Sequence, residues 1–282
     1  MKLYSINTGY FKLDGGAMFG VVPKSIWQKT NPADENNMCD WAMRSLLVED
    51  GERLILFDCG IGDKQSEKFF SYYYLHGGDT LDNSLAKHGF KREDITDVFL
   101  SHLHFDHCGG AVIREGDGFK VSFPNATFWS NDEHWDAAIE PNAREKASFL
   151  KENFLPIEES GKLKMIHRKD DLTENALPNI DVLFVDGHTD SQMVAHIHCD
   201  EKVIVFVADL LPSVGHIPLP YVMGYDTQPL VTLGEKKRFL ERAADEKYIL
   251  FLEHDPLNEC CTVMRTEKGI RLDQKFDLAS IF

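Results

Sequence analysis

The chain has no basic surplus. Its 30 lysines and arginines are outnumbered by 46 aspartates and glutamates, for a net charge of -16. Nucleic acid binding needs a cationic stripe, which these scattered cations do not supply. No run of about eighteen apolar residues occurs, which excludes a hydrophobic membrane-spanning helix. The opening MKLYSINTGYFKLDGGAMFG lacks the apolar centre of a secretory leader. Six cysteines (Cys39, Cys59, Cys108, Cys199, Cys260 and Cys261) contain no CxxC pair. Neither a paired-thiolate zinc site nor a redox dithiol is indicated, and the thiols are expected as small buried side chains. These absences point to a cytoplasmic protein with a small-molecule partner, no nucleic acid and no membrane; a homodimer stays open.

What is present is alternation of strands and helices. KLYSI and SLLVEDGERLILFDCG read as strands, the latter folded into a hairpin at Asp50-Gly51. Residues 15–39 read as a long loop, yet hold Met18, Phe19, Val21, Val22 and Trp27, which suits a flap over a pocket. DKQSEKFFSYYYL and DTLDNSLAKHGF read as helices, the second started by Asp79 or Thr80 and stopped by Gly89. ATFWSNDEHWDAAI is a strand entering a helix, and NAREKASFLKENFLPIEESG one long helix closed by Pro and Gly. KLKMIH, IDVLFVDGHTD, MVAHIHC, KVIVFVADLL and YILFLEHDP read as strands, and GEKKRFLERAADEK as a capped helix. No linker divides the chain. The expectation is one α/β domain over residues 1–282, with two packed mixed sheets and helices outside.

SHLHFDHCGG, residues 101–110, puts three histidines and an aspartate into six positions directly after the apolar DVFL. On an extended strand end, His102 and His104 share one side. Asp106 and His107 then follow in a turn, and two glycines let the backbone bend behind them. A lone strand-end histidine is usually a surface or packed residue. Several imidazoles with a carboxylate are instead the donor set of Zn(II) and similar ions, whereas Ca(II) and Mg(II) want oxygen. Other apolar strands end in His188 (DGHTD), Asp209 (VFVADLL) and His254 (LFLEHDP). Each alone is an ordinary turn residue. Together the seven exceed the roughly four donors of one zinc site and fit two ions. Cys108 adjoins the motif but is not needed as a ligand.

In HLHFDH (His102, His104, Asp106, His107), GHT (His188), AD (Asp209) and EHD (His254), taken in order and spacing, the chain resembles the metallo-β-lactamase-fold superfamily over nearly its whole length. The resemblance implies a four-layer αβ/βα sandwich with the site between its sheets. It implies one metal on His102, His104 and His188, a second on Asp106, His107 and His254, and Asp209 bridging. Two divalent ions are expected, zinc first, with Mn, Fe or Co as alternatives. Asp58 in LFDCG matches the family's acidic residue after an early strand and would orient a ligating histidine. His196, His198, His134 and Trp135 fall outside the pattern and read as packing, capping or surface residues. The segment LPSVGHIPLPYVMGYD would wall a substrate pocket with His216, Tyr221 and Tyr225, opposite Met18, Phe19 and Val22 of the flap.

That site implies hydrolysis. A hydroxide shared by two metals attacks an ester-type carbonyl, Asp106 carries a proton to the leaving oxygen, and Asp209 holds both ions together. The layout is similar to N-acyl homoserine lactonases and to methyl parathion hydrolase-like enzymes, so an N-acyl homoserine lactone is the expected substrate. A phosphotriester, or another carboxylic ester or thioester, is the alternative, and a non-catalytic metal-binding or sensor protein is the reading of a different class. Many such lactonases carry a tyrosine three residues after the bridging aspartate. Here that position is Pro212, leaving Tyr221 or Tyr225 to replace it.

Overall fold

Leu46, Leu47 and Val48 are all fully buried, although successive side chains of a strand leave opposite faces. The computed structural model, which describes residues 1–282, shows what covers each side. Leu46 and Val48 pack between two sheets with Phe57, Phe99, Phe184 and Phe206. Leu47 faces outward, under Leu85, Trp135 and Phe154 of flanking helices. The second sheet repeats the pattern, with Ile204 and Phe206 inside and Val205 and Leu250 beneath Phe239, Leu240 and Ala243. Helix, sheet, sheet, helix is the expected sandwich.

The first sheet contains β1 (Lys2–Asp14), β2 (Met38–Asp50), β3 (Arg53–Phe57) and β4 (Asp97–Phe99). A separate hairpin of β5 (Val112–Glu115) and β6 (Gly118–Val121) precedes the sheet's last strands, β7 (Thr127–Ser130) and β8 (Leu163–Met165). Pairing is antiparallel as far as β3 and parallel from there to β8. The second sheet contains β9 (Leu172–Leu177), β10 (Ile180–Val185), β11 (Gln192–Cys199), β12 (Lys202–Phe206), β13 (Ile249–Phe251), β14 (Cys260–Thr266) and β15 (Gly269–Phe276), side by side in that order. Only β12 and β13 run parallel. The β14–β15 hairpin was not among the sequence expectations.

Several local expectations change. Residues 15–39 include two short helices, α1 (Gly15–Phe19) and α2 (Lys24–Trp27), and Asp14 caps the first by accepting from the Ala17 N–H. Met18, Phe19, Val22 and Trp27 sit in one buried cluster with Phe11, Trp41 and Met223, so the segment is a packed wall. Of the expected helix near residue 67 only α3 (Glu67–Phe70) forms, while α4 (Leu81–Lys87) starts on Thr80 as expected. A single turn, α5 (Phe105–Cys108), and α6 (Asp132–Ile139) follow. The long helix expected from residue 142 shrinks to α7 (Lys151–Glu159), with Pro156 inside it and not at its end. Its first half is diverted because the Ser148 carbonyl accepts from the Phe105 N–H, a tertiary bond that a helix would not permit there. α8 (Pro229–Asp245) has no side-chain cap and begins instead with a proline, whose missing N–H costs nothing at a helix start. No helix is long and apolar enough to cross a membrane.

Candidate metal centre

Four strands end at one edge of the sandwich. The chain leaving β4 supplies His102, His104, Asp106 and His107; the chains leaving β10, β12 and β13 supply His188, Asp209 and His254. All seven side chains are buried. Donor atoms of His102, His104, His188 and Asp209 lie within 4.8 Å of one another, and those of Asp106, His107 and His254 form a second such group. Asp209 touches both. Its Oδ2 is 3.0 Å from His188 Nε2 and its Oδ1 is 3.1 Å from His254 Nε2. Asp106 Oδ2 lies 3.7 Å from both His107 Nε2 and His254 Nε2.

The imidazoles are held from behind. His102 Nδ1–H donates to Ser101 Oγ, whose hydroxyl donates to Asp58. Asp58 also accepts from His107 Nδ1–H at 3.0 Å, and Glu253 stands 3.1 Å from the same nitrogen. His188 Nδ1–H donates to Asp226 at 2.9 Å, and His254 Nδ1–H to the Ala42 carbonyl at 2.8 Å. Each of these four rings therefore turns Nε2 inward. Beyond the end of β3, the chain around His254 lies along β2: Ala42 N–H donates to the His254 carbonyl and Arg44 N–H to that of Glu253. The buried Arg44 guanidinium adds bonds to the Leu252 and Asp255 carbonyls. Backbone strain marks two of the strand ends, since neither Asp58 (φ 53°) nor Ala208 (φ 43°) is a glycine.

The two glycines behind the motif serve close approach. Gly109 is helical (φ -57°, ψ -38°), and a Cβ on it would fall 2.1 Å from the Ile61 carbonyl oxygen. A Cβ on Gly110 would fall 2.1 Å from that of Cys59. Cys108 is buried and gives its thiol to the Leu103 carbonyl.

Charge in the cluster fits a divalent cation. Burial penalises the Asp209 carboxylate, yet His188, His254 and His107 hold it well below the usual range. Burial disfavours charge on His188 and His254 as well, yet Asp209 raises them to about 10 and about 9, while burial holds His102 and His104 down. Asp209 Oδ1 is nevertheless buried without a hydrogen-bond partner. Nitrogen and carboxylate donors converging on a polar atom left bare suit zinc-like ions.

A cavity of about 370 Å³ opens over this floor. Asp106, His104, His188, Asp209 and His254 face it, with Met18 and Tyr225 from the expected wall. Phe19, Val22, His216 and Tyr221 do not line it, which corrects the pocket expected from the sequence. Phe19 is stacked between Trp27 and His216, at 5.3 and 4.4 Å, and His216 Nε2–H donates to the Met18 carbonyl. Tyr221 and Val22 belong to the same cluster. Leu13, Tyr73, Phe105, Arg144, Glu145 and Met223 line the cavity without having been anticipated. His134 accepts from the Leu103 N–H and so braces the motif, while His196 packs on Tyr248 and His198 pairs with Asp181 at the surface.

Three of these histidines set an acid limit on stability. Burial pushes His134 and His196 down from 6.5 to about 4 and His216 to about 3. Unfolded, each takes a proton below pH 6.5; folded, each resists. Their contribution is complete above pH 6.5 and is lost as pH falls toward 4, by about 1.4 kcal/mol per group and pH unit. Urea midpoints measured from pH 7 to 5 should fall accordingly, and less steeply in His196→Phe; a flat profile would refute this.

A model of the Metallo-beta-lactamase superfamily matches residues 44–254. An N-acyl homoserine lactonase of Bacillus thuringiensis is 24% identical over 270 residues, 90% of this chain and 93% of that protein. A structure from Staphylococcus aureus described as a "probable metal-dependent hydrolase" superposes with a TM-score of 0.88 at 27% identity, over 98% of this chain and 96% of the other. AidC, described as a dizinc quorum-quenching lactonase in complex with a product, gives 0.77 at 27% identity, over 98% and 94%. A family model that spans most of the chain, on a sandwich with the matching layers, decides the matter: the chain belongs to the metallo-beta-lactamase superfamily and is a metal-dependent hydrolase.

Proposed function

We propose that this hydrolase opens lactone rings, with N-acyl homoserine lactones as substrates and two zinc ions as cofactor. His102, His104 and His188 would hold one ion, Asp106, His107 and His254 the other, and Asp209 both. One observation carries the reading: seven buried donors form two adjacent groups at the floor of a cavity whose wall is partly apolar. Divalent ions there supply a Lewis acid for the carbonyl and a water acidic enough to attack at neutral pH. The lactonases among its relatives support the substrate class.

The chain's own residues do the rest. Leu13, Met18, Phe105 and Met223 suit a hydrocarbon arm. Asp106 stands where it can take the proton from the attacking water and return it to the alkoxide as the ring C–O bond breaks. Tyr73 and Tyr225 offer phenolic O–H groups to the carbonyl oxygen as it gains charge. Burial raises both phenols, Tyr73 to about 12, so each keeps its proton. Tyr225 thus fills the role left open by Pro212. In this reading the 282 residues work as one domain, in the cytoplasm, where six unpaired thiols stay reduced.

Activity on N-acyl homoserine lactones should rise with acyl length, by up to about 0.8 kcal/mol per buried CH₂. Met18→Ala and Met223→Ala should flatten that rise while sparing short substrates. Phe19→Ala, wholly buried, should mainly lose stability, by about 3–5 kcal/mol. Kinetics on a C4 to C12 series, beside a phosphotriester and a thioester, would sink the proposal if lactones are not preferred.

A further inference from the structure

His104 is oriented unlike the other four histidines. Its Nδ1 faces inward, 3.1 Å from His102 Nε2 and 3.2 Å from His188 Nε2. Its Nε2 points away from the cluster and carries no hydrogen bond. On that side the Phe149 ring packs 4.8 Å from the imidazole and can accept little. The one acidic group in reach is Glu145, whose Oε1 lies 3.6 Å from Nε2 and is itself buried without a partner. The glutamate is 4% exposed. Its other oxygen accepts from Asn142 Nδ2 at 2.5 Å, and the Asn142 side chain also accepts the Glu145 N–H, so the carboxylate is fixed before it meets the histidine. Glu145 is not part of either donor group.

We infer that Glu145 is a positioning residue, which accepts the His104 Nε2–H and thereby keeps the Nδ1 lone pair free for a metal ion. A neutral imidazole carries one N–H, and the acceptor it meets decides which nitrogen holds it. Without Glu145, the proton moves freely to Nδ1, where it blocks coordination. The turn at residues 142–148, which interrupts the expected helix, is what brings the carboxylate there. This rests on the ligand set proposed above.

The test uses the full chain, stripped of metal and titrated with Zn(II) and, separately, with Co(II), whose visible spectrum reports coordination. Glu145→Ala should weaken one of the two binding events by about 10–100-fold and change the Co(II) spectrum. Glu145→Gln turns its one acceptor oxygen to Asn142 Nδ2 and its NH₂ to His104, so it should weaken the same event, whereas Glu145→Gln combined with Asn142→Asp returns an acceptor to His104 and should recover most of the affinity. In nitrogen-15 spectra of metal-free protein, the His104 proton should move from Nε2 toward Nδ1 in Glu145→Ala and Glu145→Gln but not in the double variant. If Glu145→Ala is too unstable to titrate, the proton position and affinity of Glu145→Gln decide: a proton on Nδ1 with weakened binding supports the inference, and a wild-type pattern overturns it. Wild-type affinity and spectrum in both single variants also overturn it. A wild-type chain that takes up no metal fails the ligand set itself.

Discussion

Asp209→Ala should fold, take up at most one ion per chain and lose turnover by far more than the roughly 10–100-fold typical of losing an outer hydrogen-bond partner. The reason is its position. Its two carboxylate oxygens meet imidazoles of both donor groups, at 3.0 and 3.1 Å, so one substitution strips an oxygen from each. The same carboxylate is what raises His188 and His254 in the metal-free chain. Once it is gone, those rings return toward neutrality, and the sandwich core, built from other residues, is untouched. Elemental analysis and kinetics on one preparation check the claim. Two ions per chain with near-normal turnover would remove Asp209 from the role.

Gly110→Ala is expected to cost about 3 kcal/mol of stability. The added Cβ would stand 2.1 Å from the Cys59 carbonyl oxygen, and both sides of that contact are backbone. Nothing flexible can yield. Moreover Gly110 N–H donates to the Gly60 carbonyl and Cys59 N–H to the His107 carbonyl, so relief of the clash must pull the 58–60 turn away from the histidines. Gly51→Ala is the control: it has open space, and only its positive φ opposes the change. Chemical denaturation of both variants separates the effects, and an unaltered midpoint in Gly110→Ala would show that the loops part easily.

The seven clustered side chains were legible because each of the four segments that carry them follows an apolar run. What anchors them was not. Asp226 lies 38 residues from the histidine it holds, and nothing local sets it apart from other carboxylates. Glu253 adjoins His254 in sequence but works on His107, pushed up to about 8 by burial. The wall shows a second limit. The apolar side chains of Phe19 and Val22 say that a residue avoids water, not which neighbour shields it, and here Trp27, Trp41 and His216 do so instead of a ligand. Glu145 was hidden by helix periodicity that a single tertiary bond from Phe105 overrode. The sandwich itself followed more directly, since two-sided burial and alternating strand and helix runs leave few other arrangements.

The backbone clip between β2 and the His254 turn also sets a timetable. Ala42 and His254 are 212 residues apart, and at ribosomal speeds of about 5–20 residues per second the second is made roughly 10 to 40 seconds after the first. Through that interval the far end of β2 is a bare strand edge on a nascent chain, and Arg44 has none of its carbonyl partners. The HLHFDH segment has by then emerged, with imidazoles but neither Asp209 nor His254 to complete the cluster. Synthesis of this protein therefore passes through a stage at which an adhesive edge and a half-built donor cluster are exposed together, and only the emergence of the chain around His254 closes both.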